Sequence, residues 1–179
     1  MGNELNNFKK SFMPKEEKIE DEVKELRVKI DGLSQLVKEL KPDVITGTSN
    51  GKDFYYNPPE VRNCYDSLIF AKAWLGKILA ELGTINPYKS GYKTKEDIEP
   101  TADVSNIDLN ETVTMGLIEK IDWLRTEIEK LVILIKDLNG TTESKPSREF
   151  AIARTNSYNY LCEAKFWLGF ELQRIKEEK

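Results

Sequence analysis

Residues 15–41 read KEEKIEDEVKELRVKIDGLSQLVKELK, and the spacing of their apolar side chains decides the fold class. Ile19, Val23, Leu26, Ile30, Leu33, Val37 and Leu40 follow one another at alternating steps of four and three. On a helix of 3.6 residues per turn that spacing draws all seven onto one stripe, a heptad seam, with Glu and Lys on the other faces. A helix is therefore predicted over about 15–41, with Pro14 tolerated in its first turn and Pro42 as its stop. Residues 111–138 read ETVTMGLIEKIDWLRTEIEKLVILIKDL and repeat the pattern through Leu117, Ile121, Leu124, Ile128, Leu131, Ile135 and Leu138. A second seam helix is predicted over about 109–138. Asp108 and Glu111 have the spacing of a capping box, and Asn139-Gly140 is a helix C-cap signal.

A further helix follows each seam. In the first half, Asp43 to Tyr56 reads as a loop rich in Gly and Asn. Asn57-Pro58-Pro59-Glu60 then has the order of an N-cap, prolines in the first turn and an early acid, so a helix is predicted over about 58–82, capped by Gly83. In the second half the loop is shorter, Asn139 to Lys145, and Pro146 or Ser147 opens a helix over about 146–177. The halves are copies of one unit. Leu26-Arg27, Ile30, Leu33, Leu36, Lys38 and Leu40 match Leu124-Arg125, Ile128, Leu131, Leu134, Lys136 and Leu138, each pair 98 residues apart. Tyr65, Leu68, Ala71, Lys72, Trp74, Leu75 and Gly76 match Tyr158, Leu161, Ala164, Lys165, Trp167, Leu168 and Gly169, each pair 93 apart. The expected fold is all-α: two tandem antiparallel helical hairpins, residues 1–83 and 108–179, joined by a linker at 84–107. Together they would form a four-helix-bundle-like unit that oligomerises through its heptad seams.

Composition removes most enzyme classes. The 179 residues include no histidine, which excludes histidine acid–base chemistry, histidine-activated nucleophiles and histidine metal ligands. Two cysteines, Cys64 and Cys162, are too few for a four-cysteine zinc site or a disulfide framework. No metal and no cofactor is expected. A net charge of −4 argues against a long nucleic acid as partner. The N-terminus, MGNELNNFKKSFMPKEEK, has no signal-peptide run, and no stretch is long and apolar enough to span a bilayer, so a cytoplasmic protein away from membranes is expected. Gly47 to Asp53 superficially has the glycines of a phosphate loop, but the spacing is too short and no Ser or Thr follows Lys52.

Lys72 and Lys165 stand out because each falls where its helix seam calls for an apolar residue. A seam lysine is costly unless it is paired or hydrated. It either snorkels and sets register, or it lines an anionic pocket between hairpins. Arg148, Arg154 and Lys165 place three cations along one helix with Tyr158 and Trp167 nearby, either an ordinary solvated face or a surface on which cations meet phosphates and aromatic rings stack bases. Trp74 and Trp167 are core or interface residues in the simplest reading. Gly76 and Gly169, in mid-helix in both copies, suggest a close approach of helices.

Several of these residues resemble a known family. Pro146-Ser-Arg-Glu-Phe-Ala-Ile-Ala-Arg-Thr155, followed by Leu161, Ala164 and Phe166-Trp-Leu-Gly169, is similar to the second helix of the phage anti-CBASS and anti-Thoeris hairpin family. Pro59-Glu-Val61 followed by Ala71-Lys-Ala-Trp-Leu-Gly76 is similar too. The resemblance spans about two thirds of the chain, twice over. It implies a small helical oligomer that acts as a sponge in immune evasion, sequestering bacterial signalling nucleotides without cleaving them. The implied ligands are cyclic di- or trinucleotides or cyclic ADP-ribose isomers. It places ligand contacts at Arg148, Arg154 and Thr155, and with the seam and aromatic residues the candidate set becomes Arg148, Arg154, Thr155, Tyr158, Lys165 and Trp167 in the second copy. The first copy contributes Arg62, Tyr65, Lys72 and Trp74, but has Arg62-Asn63 in place of Ala-Arg-Thr. If the family assembles six hairpins, three tandem chains would supply them.

Two other readings compete. One is a structural adaptor that takes a partner helix on its seams. The other is a carboxylate enzyme of the nucleotide pyrophosphohydrolase kind, which needs a tight acidic cluster on core-facing positions. Glu119, Asp122 and Glu129 do not supply one, because the core side of that helix is aliphatic.

Overall fold

The computed structural model describes residues 15–40, 45–49, 52–55, 58–84, 115–138 and 146–177, with side chains from residue 18 onward and outside the two strands. Four helices form its body: α1 (Lys15–Lys38), α2 (Pro59–Glu81), α3 (Leu117–Asp137) and α4 (Arg148–Glu177). The linker to residue 107, the Asp108–Glu111 box, Asn57 and Asn139-Gly140 lie outside the described residues.

The heptad stripes form the core. All seven residues of the first stripe are buried, and six of the seven in the second, with Leu117 only partly covered; Leu40 and Leu138 continue the stripes just beyond the ends of α1 and α3. Each fully buried Leu or Ile contributes about 1.5–3 kcal/mol by leaving water. Helix α1 packs on α2, and α3 on α4. Along the first pair Thr84 lies beside Glu20, and Lys72 donates to Asp31. Along the second, Glu129 bonds Lys165 and the Leu138 carbonyl bonds Arg154. In both, residue numbers rise on one helix as they fall on the other.

The most extensive packing is between α2 and α4, while α1 and α3 touch only lightly. Small side chains make the α2–α4 contact close: the buried Ser157 hydroxyl donates to the Ala71 carbonyl at 3.1 Å. Shifting both by the 93-residue repeat gives Cys64 and Ala164, which are also fully buried. Equivalent positions of the two repeats are thus buried on both helices.

Several local expectations change. Asp43 to Tyr56 is not all loop: β1 (Ile45–Ser49) and β2 (Lys52–Tyr55) pair antiparallel, with a register shift between Ile45 and Gly47. The intervening sequence, Asn50-Gly51, is the pair that two-residue hairpin turns favour, since both positions need φ > 0. Helix α1 ends at Lys38, not 41. Helix α3 starts at Leu117, not near 109. Gly116 is a poor helix former, and the Glu119 carboxylate accepts its N–H at 3.1 Å, which fixes the start there. Helix α2 is capped by Pro58 with Pro59 in the first turn, so the cap is one residue later than Asn57. At its other end Gly83 adopts φ +75°, and the N–H groups of Gly83 and Thr84 reach the carbonyls of Ala80 and Leu79 at 3.0 and 2.9 Å. Those two bonds make a Schellman cap, which needs the left-handed conformation that glycine takes freely. At α4 the Ser147 hydroxyl accepts the Phe150 N–H at 3.0 Å, the N-cap bond.

Candidate functional site

Each seam lysine meets a carboxylate across its helix pair. Lys72 Nζ lies 2.5 Å from Asp31 of α1, and Lys165 Nζ lies 2.5 Å from Glu129 of α3. Asp31 and Glu129 are 98 residues apart, so the ion pair recurs at the same spacing as the seam residues. The pairing explains how a cation is tolerated beside an aliphatic seam. The copies differ in exposure: the Lys72 and Asp31 side chains are 14% and 10% exposed, those of Lys165 and Glu129 35% and 45%.

Around Lys165 the second copy builds a polar strip. Arg154, Tyr158, Cys162 and Lys165 recur at helical spacing on the side of α4 that meets α3. Tyr158 shares a hydrogen bond with Cys162 one turn on. That bond, with the neighbouring charges of Cys162 and Glu129 and partial desolvation, raises the phenol above its ordinary range. Arg154 donates from Nη1 to the Leu138 carbonyl at 3.0 Å, neutralising the exposed C-terminal end of α3. Arg125 of α3 lies over Gly169: a Cβ placed there would meet its guanidinium at 3.6–3.8 Å. This is ordinary van der Waals contact with a flexible side chain, so Gly169 does not mark a close helix approach.

The other expected residues are dispersed. Arg148 and Thr155, seven apart, are exposed on the outer face of α4. Trp167 is partly buried, donates to Glu163 at 3.4 Å and packs against Phe166 and Phe170. In the first copy Arg62 is exposed, Tyr65 is partly buried against the core, and the Lys77 ammonium lies 4.6 Å from the Trp74 ring centroid. The structure therefore sets Arg154, Tyr158 and Lys165 in a row along one side of α4, leaves Arg148, Thr155 and Trp167 on other faces, and sets Lys72 in a nearly closed pair.

Sequence reasoning overlooked the partners Asp31 and Glu129 and the flanking Arg27 and Arg125. The signal was present: an acid and an arginine recur 98 residues apart on the helices facing the two lysines. Elsewhere on α3, the Glu119 carboxylate accepts the Gly116 N–H and Asp122 lies near Arg125. Among the described residues no three Cys, Asp or Glu side chains gather closely enough to hold a metal ion, and no helix is long and apolar enough to cross a membrane. Burial pushes the Cys64 thiol far above its ordinary range. No family model, curated protein or solved structure matches the chain.

Proposed function

We propose that the protein is a binding protein for a small anionic nucleotide, of the kind the phage hairpin family sequesters, and that it holds this ligand without cleaving it. The ligand would be a cyclic di- or trinucleotide or a cyclic ADP-ribose isomer, met in the cytoplasm of a bacterial host. In this reading each half is one antiparallel hairpin, the halves arose by duplication, and three chains assemble six hairpins. The observation that carries it is the open strip where α4 meets α3: Lys165, with Tyr158 two turns and Arg154 three turns before it on α4 and Arg125 of α3 over Gly169 one turn after it, offers cations for phosphates and an aromatic ring for a base. Glu119, Asp122 and Glu129 each meet a different partner, which favours a role in binding over one in hydrolysis.

The test is a thermal-shift panel of cyclic dinucleotides, cyclic trinucleotides and cyclic ADP-ribose isomers, followed by recovery of the ligand after heat denaturation. A large shift with intact ligand recovered supports the sponge. Hydrolysed ligand means an enzyme. No shift for any nucleotide removes the proposal. A light-scattering mass of one or two chains at micromolar concentration removes the trimer.

A specific observation favours a second reading, a helix-binding adaptor. Phe166 and Phe170 are 57% and 42% exposed and share the outer face of α4 with Ile152. Their rings meet edge to face at 4.4 Å, a preformed apolar knob on an otherwise polar helix. Capture of a host protein that Phe166→Ala abolishes, with no nucleotide shift, would establish the adaptor instead.

A further inference from the structure

We infer that the second half carries an open anion-binding groove, that the first half carries a sealed copy of the same residues, and that Glu129 is the groove's built-in competitor for its ligand. The inference rests on the nucleotide-binding reading and adds to it how many sites each chain offers and what holds Lys165 in the absence of ligand.

The two copies contain one charge set. Arg27, Asp31, Tyr65 and Lys72 correspond to Arg125, Glu129, Tyr158 and Lys165. In the first half the set is withdrawn from water. Arg27 and Asp31 are buried, and Lys72 is nearly so against Asp31. In the second half the side chains of Arg125, Glu129 and Lys165 are between a third and a half exposed. The flanks diverge in the same sense. Val61 and Ile69 in the first copy stand where Arg154 and Cys162 stand in the second. Along the helix that carries each lysine, the first copy is therefore apolar at two positions where the second is polar, and one of the second copy's residues, Arg154, adds a fork of N–H donors.

Exposure decides which pair can be exchanged. A sealed ion pair cannot release its lysine without stranding a carboxylate in a dry site. An exposed pair is worth little, because both partners regain water when it opens. A phosphodiester arriving at the second half therefore takes Lys165 from Glu129 at small cost, and Arg154 and Arg125 lie on the same strip to either side. Arg154 is about 16 Å along α4 from Lys165, and Gly169, under Arg125, about 6 Å. Glu129 keeps the unliganded lysine paired and rejects ligands too weakly charged to displace a carboxylate.

The test uses the full native chain. Its lysines are acetylated with sulfosuccinimidyl acetate, alone, with tripolyphosphate, and with each cyclic nucleotide of the panel, and the rate at each lysine is read by peptide mass spectrometry. Lys165 is expected to react several-fold faster than Lys72 and to be protected by ligand, and calorimetry is expected to give one nucleotide per chain. Glu129→Gln should tighten nucleotide binding about two- to fivefold, the size of an exposed ion pair expressed as an affinity ratio. Equal rates at Lys72 and Lys165, or two nucleotides bound per chain, would overturn the sealed-and-open assignment. Failure of both tripolyphosphate and the nucleotides to protect Lys165 would overturn the groove. Weaker binding by Glu129→Gln would overturn the competitor. Protection by tripolyphosphate alone would leave the groove standing and refute the nucleotide reading.

Discussion

The two copies of one ion pair supply an internal comparison: remove the lysine from each and compare the cost. Lys72→Ala leaves Asp31 as an uncompensated carboxylate whose side chain is 10% exposed. Breaking a buried pair from one side costs about 3–5 kcal/mol, and the residual exposure places this case near about 3. For a chain of this length each kcal/mol moves Tm by roughly 2–4 °C, so Lys72→Ala should melt about 6–12 °C below the parent. Lys165→Ala removes an ion pair that water and salt already screen, worth about 0.2–1 kcal/mol, so its Tm should fall by at most about 4 °C.

The assay is urea and thermal unfolding of the parent and both variants, followed by circular dichroism at 222 nm, with Asp31→Leu/Lys72→Met as the rescue. Replacing both charges by apolar groups of similar size removes the stranded carboxylate, so the double variant should regain most of the loss. Salt supplies a second signature, because 0.5 M NaCl should narrow the gap between parent and Lys165→Ala and hardly change that between parent and Lys72→Ala. Equal destabilisation by the two alanines, or a double variant no more stable than Lys72→Ala, would refute the reasoning.

Other expected outcomes test the caps, the inter-copy contact and the thiols. Gly83→Ala should cost about 1–2 kcal/mol in urea unfolding, because φ +75° is strained for any residue with a Cβ although nothing lies within 4 Å of the added atom. Gly169→Ala should instead stabilise by about 0.5–1 kcal/mol, since its Cβ meets Arg125 only at ordinary contact distance and alanine is the better helix former. Ala71→Leu should destabilise by about 1–3 kcal/mol by overfilling the contact with Ser157, whereas Ser157→Ala should cost about 1 kcal/mol, the value of one buried hydrogen bond. Iodoacetamide on the native protein should modify Cys162 well before Cys64, which is fully buried with its thiol pushed up. The raised Cys64 value has a sign: the unfolded chain ionises this thiol near pH 9.0 and the folded chain does not, so stability should be full below pH 9 and decline above it, and Cys64→Ala should flatten that decline.

The helices were legible because their information is periodic. Fourteen apolar residues at four–three spacing fix two stripes, and burial of thirteen follows once each stripe meets a partner helix. The starts and stops were less legible, because they depend on single residues. Thr112, Val113, Thr114 and Gly116 continue the helical spacing only weakly, and the start at Leu117 turns on one Glu119 carboxylate reaching back to Gly116. The β1–β2 ribbon escaped because its strands are short and mostly polar, and its clearest mark, Asn50-Gly51, also suits an ordinary loop. The candidate site was half legible. A lysine in each seam was plain from spacing, but its partner lies on another helix, and the pairing of Lys165 with Glu129 depends on how the two helices are set against each other.

The proposed duplication would account for both the likeness and the difference. A hairpin with a charged pair beside its seam has two uses for that pair, to fix the setting of its two helices or to meet a ligand, and one pair serves both poorly: fixing requires exclusion of water, and exchange requires its admission. Once two copies share a chain the uses can separate. Asp31 and Lys72, 10% and 14% exposed, have the first environment; Glu129 and Lys165, 45% and 35% exposed, have the second. The α2–α4 contact through Ser157 and Ala71 holds the halves together by backbone and small side chains, independently of either pair. The Asp31–Lys72 pair joins α1 to α2 within the first half, and the Ser157–Ala71 contact joins the halves, so neither depends on the Glu129–Lys165 pair, and in the proposed reading that pair can change hands without loosening the fold.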